Sequence, residues 1–270
     1  MYEKYFSMTR TPFAKDIPVD KLFESRAMQE AESRLEYVSE KQQFAVVTGD
    51  SGCGKTTLIR RLVANLPGED YITLYVSDSK LTPRWLYKGL LDQLGIEARF
   101  YRGDAKRQLQ KEIELIRGLH KKKVVCILDE AHLLERETLE EFRFLLNYRF
   151  DSMNPLALVL VGQTELWDDK LRLQRYAAIR QRIDVNCVLP HLDRAETEAY
   201  IRSNLDYAGV MQEVFTSRAL DEIYKASSGI PRMVNRICEK SLMYAFQQQK
   251  RLVDDHMAAY IIDNEILKGA

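Results

Sequence analysis

The stretch VVTGDSGCGKTTLIRRL, Val46 to Leu62, decides the fold. The apolar run FAVVT at 44–48 reads as a buried strand, and a helical pattern begins near Lys55. Between them Gly49-Asp50-Ser51-Gly52-Cys53-Gly54-Lys55-Thr56 fits the pattern GxxxxGK[ST]. Its glycines let the backbone turn so that several N–H groups point at phosphate oxygens. The positive end of the following helix adds to that field. Lys55 is expected to reach the β and γ phosphates, and Thr56 to give its hydroxyl oxygen to Mg2+. The expected ligands are a nucleotide and Mg2+, cradled by residues 49–56 with Thr57 adjoining.

Outward from this loop, apolar strands alternate with helical stretches. The strands are FAVVT (44–48), YITLYV (71–76), VVCIL (124–128), LALVLV (156–161) and IDVNCV (183–188). Helical patterns lie near 55–65, 82–94, 105–120, 137–149 and 164–173, and Met28, Ala31, Leu35 and Val38 mark a helix before the first strand. Such alternation predicts an α/β fold with a parallel five-stranded sheet covered on both faces. After Pro190 no strand pattern follows. Helices are expected near 193–208, 217–227, 231–249 and 253–267, with Asp193 and Glu196 as a capping pair and Gly229-Ile230-Pro231 separating two of them. The expected domains are a lead-in with the first helix at 1–43, an α/β core at 44–190 and a small all-helical domain at 191–270.

Composition sets outer limits. The 270 residues are 46% apolar and 30% charged, which suits a globular chain with a sizeable core. Lys and Arg together balance Asp and Glu at 40 each, so an anionic partner would need a local basic patch. Cys53, Cys126, Cys187 and Cys238 form no CxxC pair, which argues against a zinc site and fits a reducing compartment. The longest apolar runs are too short for a bilayer, and the start lacks a signal-peptide core. A cytoplasmic protein without a membrane partner is expected.

Further residues carry chemistry. VVCILDEAH places Asp129 and Glu130 at the C-terminal end of a strand, where ligands bind in such sheets. Asp129 is expected to hold Mg2+ through water and Glu130 to polarise the attacking water. The alternative is a pair of acids that merely suit a helix start. Gln163 or Thr164, after LALVLVG, would emerge beside the γ phosphate if that strand neighbours the first. Pro231 suits the first position of a helix, so Arg232 falls in the first turn, where a cation costs ~0.3–1 kcal/mol against the dipole. That placement points to an anionic partner: the nucleotide phosphates, or a nearby carboxylate. Arg180 and Arg182, just before the last strand, are candidates to reach a neighbouring subunit's γ phosphate, a role worth ~10³–10⁵ in rate.

In order and spacing these elements resemble the AAA+ ATPases across essentially the whole chain. GDSGCGKT is similar to Walker A and VVCILDEAH to Walker B. Gln163 falls at the first sensor, and GIPR resembles the second sensor of a helical lid. The resemblance makes Arg182 the first choice for the arginine finger and Arg180 the second. It implies ATP hydrolysis, catalysed with Lys55, Asp129 and Glu130, and a nucleotide site shared between subunits of a ring or helical filament. The start, MYEKYFSMTRTPFAKDIPVDKLFES, resembles ExeA/GspA-like ATPases of general secretion and transposon ATPases of the TniB-like and TnsC-like kind. It implies that Phe13 lies near the adenine.

Secretion proteins of this group continue into a membrane segment and a peptidoglycan-binding domain, which do not follow here. The leading expectation is therefore a regulator of transposition. It would assemble on duplex DNA with ATP, recruit a transposase and be disassembled by hydrolysis. The alternative is an ATPase subunit energising a secretion or cell-envelope assembly. A nucleotide-gated scaffold and a small-molecule kinase stand further back. Candidate DNA contacts are Lys80, Thr82, Arg84, Arg102 and Lys106, four cations and one hydroxyl in a stretch interleaved with aromatic residues that suits sequence-independent backbone binding. Trp85, Leu86, Leu90 and Leu94 read as packing residues of an amphipathic helix.

Overall fold

The computed structural model describes residues 1–77, 81–146 and 154–266. In chain order the elements are α1 (Tyr2–Tyr5), α2 (Arg26–Lys41), β1 (Phe44–Thr48), α3 (Lys55–Asn65), β2 (Tyr71–Val76), α4 (Pro83–Gln93), α5 (Arg102–Gly118), β3 (Lys123–Leu128), α6 (Arg136–Leu146), β4 (Ala157–Gly162), α7 (Ala177–Arg180), β5 (Val185–Val188), α8 (Arg194–Tyr207), α9 (Ser217–Ser227), α10 (Pro231–Gln247) and α11 (Asp255–Ile261). Contacts divide the chain into two units. The α/β unit holds Ala27–Ser51 and Lys55–Leu189, and the helical unit holds Met1–Arg26, Gly52–Gly54 and Pro190–Ala270. The lead-in is thus shared, with Met1–Arg26 in the helical unit and α2 from Ala27 onward in the α/β unit.

The sheet of the α/β unit is wholly parallel, in the order β2-β3-β4-β1-β5. β1 and β4 are buried at every position, the reason that they read as continuous apolar runs rather than alternating ones. β2 lies at an edge and is only partly buried. One face of the core joins Val46, Leu74, Cys126 and Leu158 to Leu86, Leu90, Leu109 and Ile113 of α4 and α5. The four cysteines are all buried thiols.

Several expected elements take a different form. The helix expected at 164–173 is a short wide turn of π type, Leu166–Leu171, followed by a tight turn at Gln174–Tyr176 and α7. The last strand loses its first two residues, and α11 passes into a wide turn, Ile262–Ile266. Trp85 is 53% exposed instead of packed, because α4 buries the stripe Leu86, Tyr87, Leu90 and Leu91, and Trp85 lies beside that stripe. Among the described residues no helix is long and apolar enough to cross a membrane.

The helical unit has its own core. Tyr2, Phe6, Met8 and Phe13 of the lead-in pack with Ile201, Leu205, Ile223, Ile237 and Leu242. Asp193 caps α8: its carboxylate accepts from Glu196 N–H at 2.7 Å, and Glu196 accepts from Asp193 N–H at 3.3 Å. Gly229 adopts φ +74°, and a Cβ there would lie 1.9 Å from the Leu192 carbonyl oxygen. The contact is tight because Leu192 N–H donates to Gly229 O at 3.0 Å. Gly229→Ala is expected to destabilise the helical unit by about 1–3 kcal/mol or more, which urea unfolding followed by circular dichroism would measure.

Candidate nucleotide site

Register brings the chemistry-bearing residues of the α/β unit to one edge. Thr48 pairs with Gly162, and Leu128 with Leu160, so β4 lies between β1 and β3. Gly49, Asp129 and Gln163 therefore all begin where the sheet ends, at the carboxyl side where ligands bind in parallel sheets. The fourth strand does neighbour the first, which is the condition on which Gln163 or Thr164 would emerge beside the glycine loop.

Gly49 is buried against the chain after β5, where a Cβ would meet the Leu189 carbonyl oxygen at 2.8 Å. Gly52 and Gly54 take φ of +90° and +100°, a region open to glycine at no steric cost. Lys55 starts α3 and is only 7% exposed. Its ammonium donates to Gly49 O at 2.7 Å and Asp50 O at 2.9 Å, which meets the cost of burying the charge. Thr56 is exposed and Thr57 half-buried in the same helical turn; Asp50 and Ser51 are exposed and Cys53 is buried.

Asp129 is 6% exposed, and both its oxygens are engaged. Tyr75 O–H donates to one at 2.9 Å and Glu130 N–H to the other at 2.8 Å. Burial, together with the bond to Asp129, pushes the Tyr75 phenol far up, so it remains a donor at neutral pH. The sequence does not single out Tyr75, because only the pairing of β2 with β3 brings it to the acid. A carboxylate and a hydroxyl oxygen, Asp129 and Thr56, are the donor types that Mg2+ takes, with phosphate and water completing the shell.

Glu130 has a left-handed backbone, φ +53°, and a side chain that is 45% exposed. Its Oε2 lies 3.5 Å from His132 Nδ1, and the same nitrogen accepts from Gln163 N–H at 3.4 Å. His132, too, escapes a reading of the sequence by itself. Gln163 and Thr164 are half-buried.

The arginines differ in setting. Arg180 donates to the carbonyls of Leu171 at 2.8 Å and Arg172 at 2.6 Å, closing the turn before it. Arg182 is half-buried. In the helical unit Arg232 is exposed, and its backbone N–H donates to Gly52 O at 3.3 Å. Phe13 is 3% exposed in that unit's core, with φ +59°.

The candidate DNA contacts do not form a single patch of unengaged cations. Lys80 lies outside the described residues. Thr82 is exposed before α4, and the Arg84 guanidinium sits 4.3 Å from the Phe100 ring centre. Arg102 pairs with Glu137 and Glu141 at 2.5 Å each, and Lys106 with Glu141 at 3.1 Å. Glu141 is 2% exposed and also accepts from Tyr87 O–H, so Arg102 and Lys106 are counterions of a buried carboxylate.

Burial by itself raises the Glu141 carboxyl. The bonds from Tyr87 and Lys106 and the charges of Lys106 and Arg102 outweigh it, and the net shift is downward. A depressed carboxyl contributes stability that is present above its unfolded value, about 4.3, and is lost as pH falls through the folded value. Denaturation midpoints measured between pH 3 and 7 should therefore fall on the acid side, and Glu141→Gln should flatten that fall while lowering stability at pH 7. Tyr75→Phe should cost about 1.5–3 kcal/mol in the same assay, the worth of a hydrogen bond to a charged group.

Residues 38–168 match the family described as AAA domain. Over 268 residues the chain is 33% identical to the general secretion pathway protein A of Aeromonas hydrophila, with 96% of this chain and 48% of that protein covered. The chain thus spans about half the length of the curated relative it matches. Among solved structures, the Aeropyrum pernix ORC2 protein aligns with a TM-score of 0.68 at 15% identity, over 93% of this chain and 71% of that one. The Aeropyrum pernix ORC1 protein in complex with DNA aligns at 0.67 and 16%, over 94% and 68%. The Thermotoga maritima RuvB Holliday junction branch migration motor aligns at 0.53 and 16%, over 87% and 66%. At these identities the solved structures speak to fold alone. The chain has the P-loop AAA fold, with a helical C-terminal region, and is similar over nearly all its length to a general secretion pathway protein A.

Proposed function

We propose that the protein is an ATPase of the ExeA/GspA kind that couples MgATP binding and hydrolysis to a secretion or cell-envelope assembly. The observation that carries it is the meeting of the buried Lys55 ammonium, the doubly bonded Asp129 and the exposed carboxylate of Glu130 at the ends of strands bound through β4. The similarity to general secretion pathway protein A supports the cellular role. The expected transposition role, with its transposase and DNA filament, rested on the chain's end. That argument has no force in a chain spanning 48% of its relative.

In this reading residues 49–57 hold the phosphates, and Lys55 neutralises charge on the β and γ groups as the bond between them weakens. Thr56 by its hydroxyl oxygen and Asp129 through water would hold Mg2+, which would draw negative charge from the phosphate oxygens. Glu130 orients a water towards the γ phosphorus and takes its proton as the new P–O bond forms and the bond to ADP breaks. Gln163 contacts the γ phosphate, and Arg232 keeps the second-sensor role that its place in GIPR implies. Arg182, the first choice by the resemblance to AAA+ ATPases, serves a neighbouring copy's site, with Arg180 the second choice.

Phosphate release and binding of a fluorescent ATP analogue test this. Lys55→Ala should abolish both. Glu130→Gln should bind ATP normally and hydrolyse it about 10²–10⁴-fold more slowly. Loss of binding in Glu130→Gln, or wild-type turnover in Lys55→Ala, would overturn the assignment. Duplex DNA anisotropy with an ATP analogue, with ADP and without nucleotide separates the two cellular roles. Equal or absent binding in all three is expected, and binding only with the ATP analogue would return the weight to a DNA-associated regulator.

A further inference from the structure

Glu130 is held poorly by its own surroundings. It is a long side chain, 45% exposed, on a backbone that has turned left-handed. A carboxylate that must orient one water needs a tighter hold than solvent gives. The neighbour that can supply it is His132, whose side chain is only 10% exposed.

The imidazole is fixed from behind. Ala131–Leu133 form a tight turn in which Leu133 N–H donates to Glu130 O at 2.9 Å. Ala131 and Leu134 are buried to 0% and 1% exposure, anchoring the turn on both sides of His132. The turn is pressed onto the end of β4, where a Cβ on Gly162 would stand 3.1 Å from His132 N. The ring therefore occupies a set position between Glu130 and the backbone of Gln163.

Both contacts converge on Nδ1, and this decides the chemistry. With the proton on Nε2, Nδ1 accepts from Gln163 N–H at 3.4 Å and offers Glu130 no hydrogen. With the proton on Nδ1, that nitrogen donates to Glu130 Oε2, 3.5 Å away, and no longer accepts from Gln163. One nitrogen cannot satisfy both partners at once. We infer that His132 is a positioning residue for Glu130 that exchanges the backbone N–H of Gln163 for the Glu130 carboxylate, so that displacement of the β4 end sets the orientation of the acid. The inference rests on the ATPase reading, in which Gln163 contacts the γ phosphate and Glu130 orients water.

The experiment has a kinetic and a spectroscopic arm. Phosphate release by wild type and Lys55→Ala first establishes whether ATP is hydrolysed. His132→Ala should then lower kcat roughly 10- to 100-fold with little change in KM for ATP. His132→Asn, whose amide places a donor or acceptor near the position of Nδ1, should recover most of the rate. His132→Gln, whose amide reaches the position of Nε2, should not. In the spectroscopic arm, imidazole 15N signals are followed on uniformly labelled wild type and Glu130→Gln. His132 is one of four histidines, so the signal missing from His132→Asn identifies it. Its Nδ1 resonance should shift in Glu130→Gln and again when a non-hydrolysed ATP analogue is added. Unchanged kcat in His132→Ala, equal losses in all three variants, or an Nδ1 signal indifferent to Glu130→Gln would overturn the inference. A wild type that does not hydrolyse ATP would sink the ATPase reading instead, while the Glu130→Gln spectrum still tests the contact.

Discussion

β4 is hydrogen-bonded on both sides, and the candidate site depends on that double pairing. β1 delivers the glycine loop, β3 delivers Asp129 and Glu130, and β4 sets the distance between them. Because the ladder is parallel, all three leave the sheet at the same edge, so one register shift would separate the lysine from the acids. The buried faces of β1 and β4 oppose such a slip, since every residue of both strands is packed. The glycine loop is precise for a related reason: Gly49 approaches Leu189 too closely to carry a side chain, which ties the loop to the chain just after β5, the strand paired to the other side of β1.

Much of this was legible in the residues themselves. Runs such as FAVVT and LALVLV are apolar throughout because both faces are covered, and their boundaries survive to within a residue or two. The motif at 49–56 could be placed because a strand precedes it and a helix follows. The segment 164–183 was less legible. It breaks into a wide turn, a tight turn and a single turn of α-helix, held by bonds such as those from Arg180 to two carbonyls, and no periodicity announces these. Tyr75 and His132 were invisible for another reason. Each acts on an acid through a neighbouring strand end or turn, and composition gives no hint of that proximity.

Charged residues are the hardest to read. Arg102 and Lys106 lie in a stretch whose cations suit a polyanion, yet both are committed to Glu141, an acid 35 or more residues away along the chain. A buried carboxylate with one partner removed is costly, so such cations are bound to the fold first and available to a partner second. Arg84, by contrast, lies over the exposed ring of Phe100 and retains access to solvent. Counting positive residues along a helix therefore overstates the charge that its surface presents.

The left-handed backbone at Glu130 has a meaning beyond geometry. A residue with a Cβ gives up ~1–2 kcal/mol there relative to glycine. A chain shaped for durability alone would put glycine or asparagine at that point. Keeping glutamate is a local frustration, tolerated because the turn that follows is anchored by Ala131 and Leu134. In the proposed reading this strained position is also the one whose side chain orients the attacking water. A search for stabilising substitutions would be drawn to it and, in that reading, would select against hydrolysis.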